Sequence, residues 1–203
     1  MKTLLTLTLV VLMAGSAFAQ LDNSMGIFFV DSDYHVPENA QANTNFDTGA
    51  APFNGYICMV GTTMFSIAAY EVGIEITDPG VFLLSVDGPN GWTNFGDNTN
   101  HLVGFMTPVP CQAGYCVLST IQFLYSGAET VEMLMGPSDP SSVEGAGPAL
   151  ADGANVDIVY VCNYTSGEEL GGLVATLNGG GIQFPDVIAT ETQSLSSVKA
   201  LFN

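Results

Sequence analysis

The sequence predicts an all-β protein, an antiparallel sandwich in a single domain, and three observations point there. Apolar and polar residues alternate with period two in several separate stretches. Turn-forming clusters rich in Gly, Pro, Asp and Asn stand between those stretches. No long amphipathic helical stretch occurs before the end of the chain.

The chain opens with a leader rather than a strand. In MKTLLTLTLVVLMAGSAFAQ, Lys2 supplies a positive start, an apolar run follows that only Thr6 and Thr8 interrupt, and Ala17-Phe18-Ala19 is a small-x-small cleavage site. Residues 1–19 read as a secretory signal peptide, because the run is too short for a stop-transfer helix. The mature chain then starts at Gln20, residues 20–190 make the sandwich domain, and 191–203 form a C-terminal tail. No later apolar run reaches the roughly 20 residues of a membrane helix. The expected product is secreted, whether extracellular, at the cell surface or periplasmic.

Strands are expected in order over 26–30, 53–60, 70–76, 81–86, 101–106, 117–125, 131–135, 156–162 and 170–177. In 70–76 the apolar residues take one face, and Glu71 and Glu75 the other. In 117–125 one face is Val117, Ile121, Phe123 and Tyr125. Val131, Met133 and Met135 alternate with Glu132, and Val156, Ile158, Tyr160 and Cys162 share a face opposite Asp157. Asp78-Pro79-Gly80 and the segments 87–91, 136–140 and 178–181 carry the turn chemistry that separates strands. The 23 glycines and 10 prolines of the chain fit an architecture of many short strands. Over 194–202, Leu195, Val198 and Leu201 fall on one side of a short helix.

Four cysteines in an exported chain imply disulfides. A hairpin with 112–115 as its loop sets Cys111 opposite Cys116, at a separation that needs modest adjustment for a bridge. Cys58 and Cys162 then pair, since both lie on faces that look like core faces. That second bond would close a loop of roughly 100 residues and contribute about 4–5 kcal/mol. The competing readings are a metal site or a redox pair. Only one cysteine pair is close in sequence, His35 and His101 are far apart, and the close pair has four intervening residues where a thioredoxin-like motif has two.

Charge narrows the function classes. The chain has 20 acidic residues against two Lys or Arg, Lys2 and Lys199, and Lys2 leaves with the leader. Nucleic acid and anionic membrane surfaces are excluded as partners, because both are held by Lys and Arg. The acidity serves solubility, or it serves a divalent cation or a basic partner.

The stretches AAYEVGIEITDPGVFLLSVDGPNGWTNF, HLVGFMTPVP and VLSTIQFLYSG resemble, in their strand order, cohesin-like sandwiches. LMGPSDPSSVEGAGPALADG and SLSSVKALFN are similar to stretches in uncharacterised exported bacterial proteins. The resemblance implies a cohesin-like or jelly-roll-like β-sandwich that binds a protein or a surface, and it transfers no functional residue.

Several places could carry chemistry. Asp31 and Asp33, two apart in a loop, could hold calcium (Ca2+) through hard oxygen ligands, or stand as a solvated strand end. The segment 152–157 is rich in oxygen side chains but lacks the glycine and glutamate of an EF-hand loop, so it reads as a turn. Trp92, Asn94, Phe95 and Asp97 share one loop, where aromatic and polar groups could stack on and hydrogen-bond a sugar, or where Trp92 could cap the core. Asn163-Tyr164-Thr165 fits a glycosylation acceptor. No catalytic residues are assigned, since the chain lacks arginine and any G-x-S-x-G motif; two acids in a cleft would be the remaining route to a glycosidase. The sequence therefore reads as a non-enzymatic extracellular structural or interaction protein, its partner a protein, a polysaccharide or its own copies; GIFFV is an apolar candidate for strand addition but reads first as a strand packed within its own sheet. The alternative is a carbohydrate-binding module built on the Trp92 loop, with or without calcium.

Overall fold

Alternation becomes two packed sheets in the computed structural model, which describes residues 23–29, 43–89, 91–144, 146–167 and 172–182. The leader, Asp31, Asp33 and the 191–203 tail with its expected helix lie outside the described residues. The strands are β1 (Ser24–Phe28), β2 (Asn45–Phe46), β3 (Phe53–Val60), β4 (Ser66–Ile76), β5 (Phe82–Asp87), β6 (Trp92–Asn94), β7 (Asn100–Pro110), β8 (Cys116–Leu124), β9 (Val131–Gly136), β10 (Ala149–Asp152), β11 (Val159–Val161), β12 (Asn163–Tyr164) and β13 (Leu173–Leu177). One sheet runs β12-β1-β3-β8-β5. The other runs β11-β10-β4-β9-β13-β2, with β7 and then β6 added beside β4. Pairing is antiparallel except at two margins, where β1 joins β12 and β13 joins β2 in parallel. The expected purely antiparallel sandwich thus becomes a mixed one.

The core lies between the sheets. Met25, Ile27, Ile57, Met59, Leu118, Ile121 and Phe123 meet Ile67, Tyr70, Val72, Val103, Met133, Leu150 and Leu177. Burying such a side chain stabilises by about 1.5–3 kcal/mol each. In β9 the alternation works as read: Val131, Met133 and Met135 are buried and Glu132 is exposed.

β8 departs from its expected phase. Ile57 pairs with Ser119 and Cys58 with Val117, so Leu118 is an extra residue, a bulge. The bulge lets Leu118 and Ser119 both turn inward, fully buried, while Val117 packs with the separate cluster of Phe28, Cys58 and Val60. Val117 therefore does not share a face with Ile121 and Phe123.

One more expectation changes. The segment 156–162 is not one strand: Val156 is exposed in a turn, β11 joins the larger sheet, and after Cys162 the chain enters the smaller sheet as β12. Within the GIFFV stretch, Gly26, Ile27 and Phe28 belong to β1 and pair with β3, in keeping with packing inside their own sheet, while β12 pairs with β1 at Ser24 and Met25.

Candidate interaction surface

Pleating gives β4 two faces. Its inward face enters the core, and its outward face continues across β10, β11 and β7 in register. Ala69 pairs with Ala151 on one side and Gly104 on the other, and Ala151 pairs in turn with Val159. One row on, Glu71 pairs with Ala149 and Leu102, and Ala149 with Val161. Small residues make the floor, and larger apolar ones make the rim. The result is an open groove of about 300 Å³ lined by Ala69, Glu71, Phe95, Leu102, Gly104, Ala151 and Val159, among others. Phe95 is 77% exposed and Met106, farther along β7, is 86% exposed. Val159 and Val161 are also exposed. Apolar side chains grouped on an exterior face, with polar groups at the margin, are the kind of surface that protein contacts use.

Glu71 is the polar exception in this floor, at 8% exposure. Its carboxylate accepts hydrogen bonds from Ser142 N at 2.7 Å, Ser142 Oγ at 2.6 Å and Ser141 Oγ at 3.3 Å. A nearly buried carboxylate requires such donors. The bonds fasten the segment after β9 over one end of the groove. A second tie joins that segment to the loop before β7: Asn100 Nδ2 donates to Asp139 O at 2.6 Å, and Asp139 N donates to Asn100 Oδ1 at 2.9 Å.

The loop expected to bind a ligand is held by its own polar groups. Asn94 Oδ1 accepts from Gly96 N and Leu102 N, and its amide donates to Asp97 O. Asp97 Oδ1 accepts from Thr99 N, Thr99 Oγ1 and Asn100 N, and these bonds hold the carboxyl below its ordinary value. Trp92 lies opposite Phe105 and packs against the core, so it caps the sandwich rather than offering an open stacking face. Phe95 and Asp97 are the exposed members of the quartet, and Phe95 joins the groove. The four residues are brought together, but as a braced loop beside an apolar face.

Beneath the groove lies a buried polar network that the sequence did not signal. Tyr70 Oη lies 2.8 Å from Ser119 Oγ and 3.0 Å from His101 Nδ1, and His101 Nε2 lies 3.1 Å from Asn98 O. A carbonyl only accepts, so Nε2 carries the proton and, in the neutral ring, Nδ1 accepts from Tyr70. Burial holds His101 below its ordinary value and raises the Tyr70 phenol well above its own. Ser, His and Tyr here are sealed at 0–2% exposure, which leaves a substrate no approach. Among the described residues no group of His, Cys, Asp and Glu is arranged to hold a metal ion.

Cys111 and Cys116 are brought together on the two sides of the Gln112–Tyr115 bridge, near enough for each to shift the other's thiol. Cys58 and Cys162 are not: Cys58 sits in the cluster of Phe28 and Val60, while Cys162 belongs to the core between the sheets. Both cysteines are buried, as expected of core faces, but Cys58 points to the other side of its sheet from the core that holds Cys162. Among the described residues no helix is long and apolar enough to cross a membrane.

No protein-family model matches the sequence, and no curated protein matches it. Cohesin modules are among the solved structures it is similar to. The sixth cohesin of scaffoldin B from Acetivibrio cellulolyticus, solved with a dockerin, is 12% identical, with 77% of this chain and 98% of that one covered and a TM-score of 0.46. A cohesin module of a family 33 glycoside hydrolase from Clostridium perfringens is 8% identical, covering 69% and 89%, with a TM-score of 0.45. The OlpA cohesin of Clostridium thermocellum, also solved with a dockerin, is 9% identical, covering 76% and 98%, with a TM-score of 0.43.

Proposed function

We propose that this protein is an exported, non-catalytic interaction module that docks a protein partner on the outward face of β11, β10, β4 and β7. The exposed apolar groove with Phe95 and Val159 at its rim carries the reading. Interfaces of this kind place an apolar centre inside a polar rim. The net charge of −18 makes a partner with a basic rim the best match and steers its approach. A polysaccharide has less in its favour, since Trp92 faces the core and the polar groups of Asn94 and Asp97 already shape their own loop.

The test compares Phe95→Asp and Val159→Asp with Phe82→Asp, an exposed aromatic on the other sheet. Secreted proteins of the host are passed over each immobilised variant. Partners retained by the parent and by Phe82→Asp, but lost from both groove variants, support the reading. All three variants should keep their stability within about 0.5 kcal/mol. Retention that ignores the groove changes, or glycan binding abolished by Trp92→Ala in a folded protein, overturns it. Raising salt should slow association by screening the charges.

A further inference from the structure

Cys111 and Cys116 stand where the chain passes from one sheet to the other. β7 ends at Pro110 in the larger sheet, and β8 begins at Cys116 in the smaller. Between them Gln112 and Tyr115 exchange two backbone hydrogen bonds, Gln112 N to Tyr115 O at 2.8 Å and Tyr115 N to Gln112 O at 3.0 Å. Ala113 and Gly114 have φ of 51° and 85°, the left-handed pair of a type I′ turn. The pair just outside a doubly bonded one is the non-hydrogen-bonded kind, in which side chains approach most closely. That Cα spacing, about 4.5 Å, lies within the range a disulfide spans. The corner is held on both flanks: Cys111 N donates to Phe65 O at 2.8 Å, and Thr62 N donates to Gly114 O at 3.0 Å.

The two sulfurs are not equivalent. Cys111 is half-buried, whereas Cys116 is 3% exposed. The neighbouring Cys116 holds the Cys111 thiol below its ordinary value, while Cys111 and burial raise the Cys116 thiol and keep it protonated. Burial pushes Cys162 up to about 12, which leaves that thiol inert.

We propose that Cys111 and Cys116 form an asymmetric redox site that is oxidised by a low-molecular-weight disulfide, with Cys111 as the attacking thiol and Cys116 as the resolving one. The Cys111 thiolate attacks one sulfur of the external disulfide, whose S–S bond breaks, and one thiolate leaves and takes up a proton. The Cys116 sulfur, losing its proton to solvent as it reacts, then attacks the Cys111 sulfur of the mixed disulfide. A second small thiol is released. Overall two protein thiols become one disulfide and one external disulfide becomes two thiols, so electrons and atoms balance. The bond fastens the end of β7 to the start of β8, and hence one sheet to the other at this corner.

The experiment uses the reduced mature protein, oxidised glutathione and intact-mass analysis with peptide mapping. The parent should lose two hydrogens and show the 111–116 link. Cys116→Ser should retain one glutathione on residue 111, and Cys111→Ser should retain none over the same time. On the parent itself, an alkylating reagent in limiting amount should label Cys111 about ten-fold faster than Cys116. A glutathione held by Cys111→Ser but not by Cys116→Ser reverses the roles and overturns the proposal. So does preferential labelling of Cys116, a link to Cys58 or Cys162, or a parent that keeps four thiols.

Discussion

Tyr70 and Glu71 are consecutive residues of β4, both polar and both nearly sealed from solvent, yet they face opposite ways. Tyr70 points between the sheets, and its partners come from β7 and β8, strands of different sheets. Glu71 points outward, and its partners are two serines of one surface segment. The difference teaches where a buried polar group's consequences fall. A group satisfied across the core is tied to global folding. One satisfied by a loop is tied to the position of that loop.

The largest expected effect comes from the inward residue. Tyr70→Phe keeps the ring but takes a hydroxyl partner from both His101 and Ser119 inside the core. Unsatisfied buried groups cost about 1–3 kcal/mol each, so urea denaturation should show a loss of roughly 2–4 kcal/mol. A change under about 0.5 kcal/mol would mean that the network does not hold the sheets together.

The outward residue should give a smaller and more local response. Glu71→Ala removes the acceptor of the Ser142 amide and should cost about 1–2 kcal/mol. Hydrogen exchange at that amide should quicken more than exchange in β3 or β8. Glu71→Gln should recover much of the protection, because its carbonyl oxygen can still accept. Equal quickening across both sheets would erase the contrast between the two residues.

Acid sharpens the comparison with the smallest effect. The folded-state value of His101 is lowered, chiefly by burial, so between that value and about 6.5 the unfolded chain binds a proton that the folded chain does not. The contribution is therefore complete above pH ~6.5 and is lost as pH falls below it, with a slope of at most about 1.4 kcal/mol per pH unit. His101→Asn should flatten this region of a stability profile. A second decline, from the depressed Asp97 carboxyl, should appear only below its ordinary value near 3.8. A profile that rises as pH drops below 6.5 would contradict the burial of a neutral imidazole.

Legibility followed the range of the interactions involved. β9 was readable because Val131, Met133 and Met135 alternate without interruption. β3 also matches its expected bounds. β10 was missed, since Ala149-Leu150-Ala151-Asp152 carries little alternation and becomes a strand by pairing with β4 and β11. The Trp92 loop was recognised as one cluster, but the direction of Trp92 depended on Phe105 across the strand pair. The groove itself left little trace: its floor is alanine and glycine, and only their register across four strands makes them one surface.

The sequence by itself determined the all-β class, the turn positions and the placing of Cys111 and Cys116 on the two sides of a tight turn, because each follows from local backbone geometry. Pleating has a period of two, and a left-handed turn needs residues such as Gly114 within a few positions. Only the tertiary structure decided that Ser119 turns inward, that Cys58 and Cys162 occupy separate clusters, and that the chain changes sheets at Cys162. Those outcomes depend on which distant strand supplies the hydrogen bonds. A single extra residue, Leu118 opposite β3, shifts every later side chain of β8 relative to the earlier ones, and no local pattern encodes that partner.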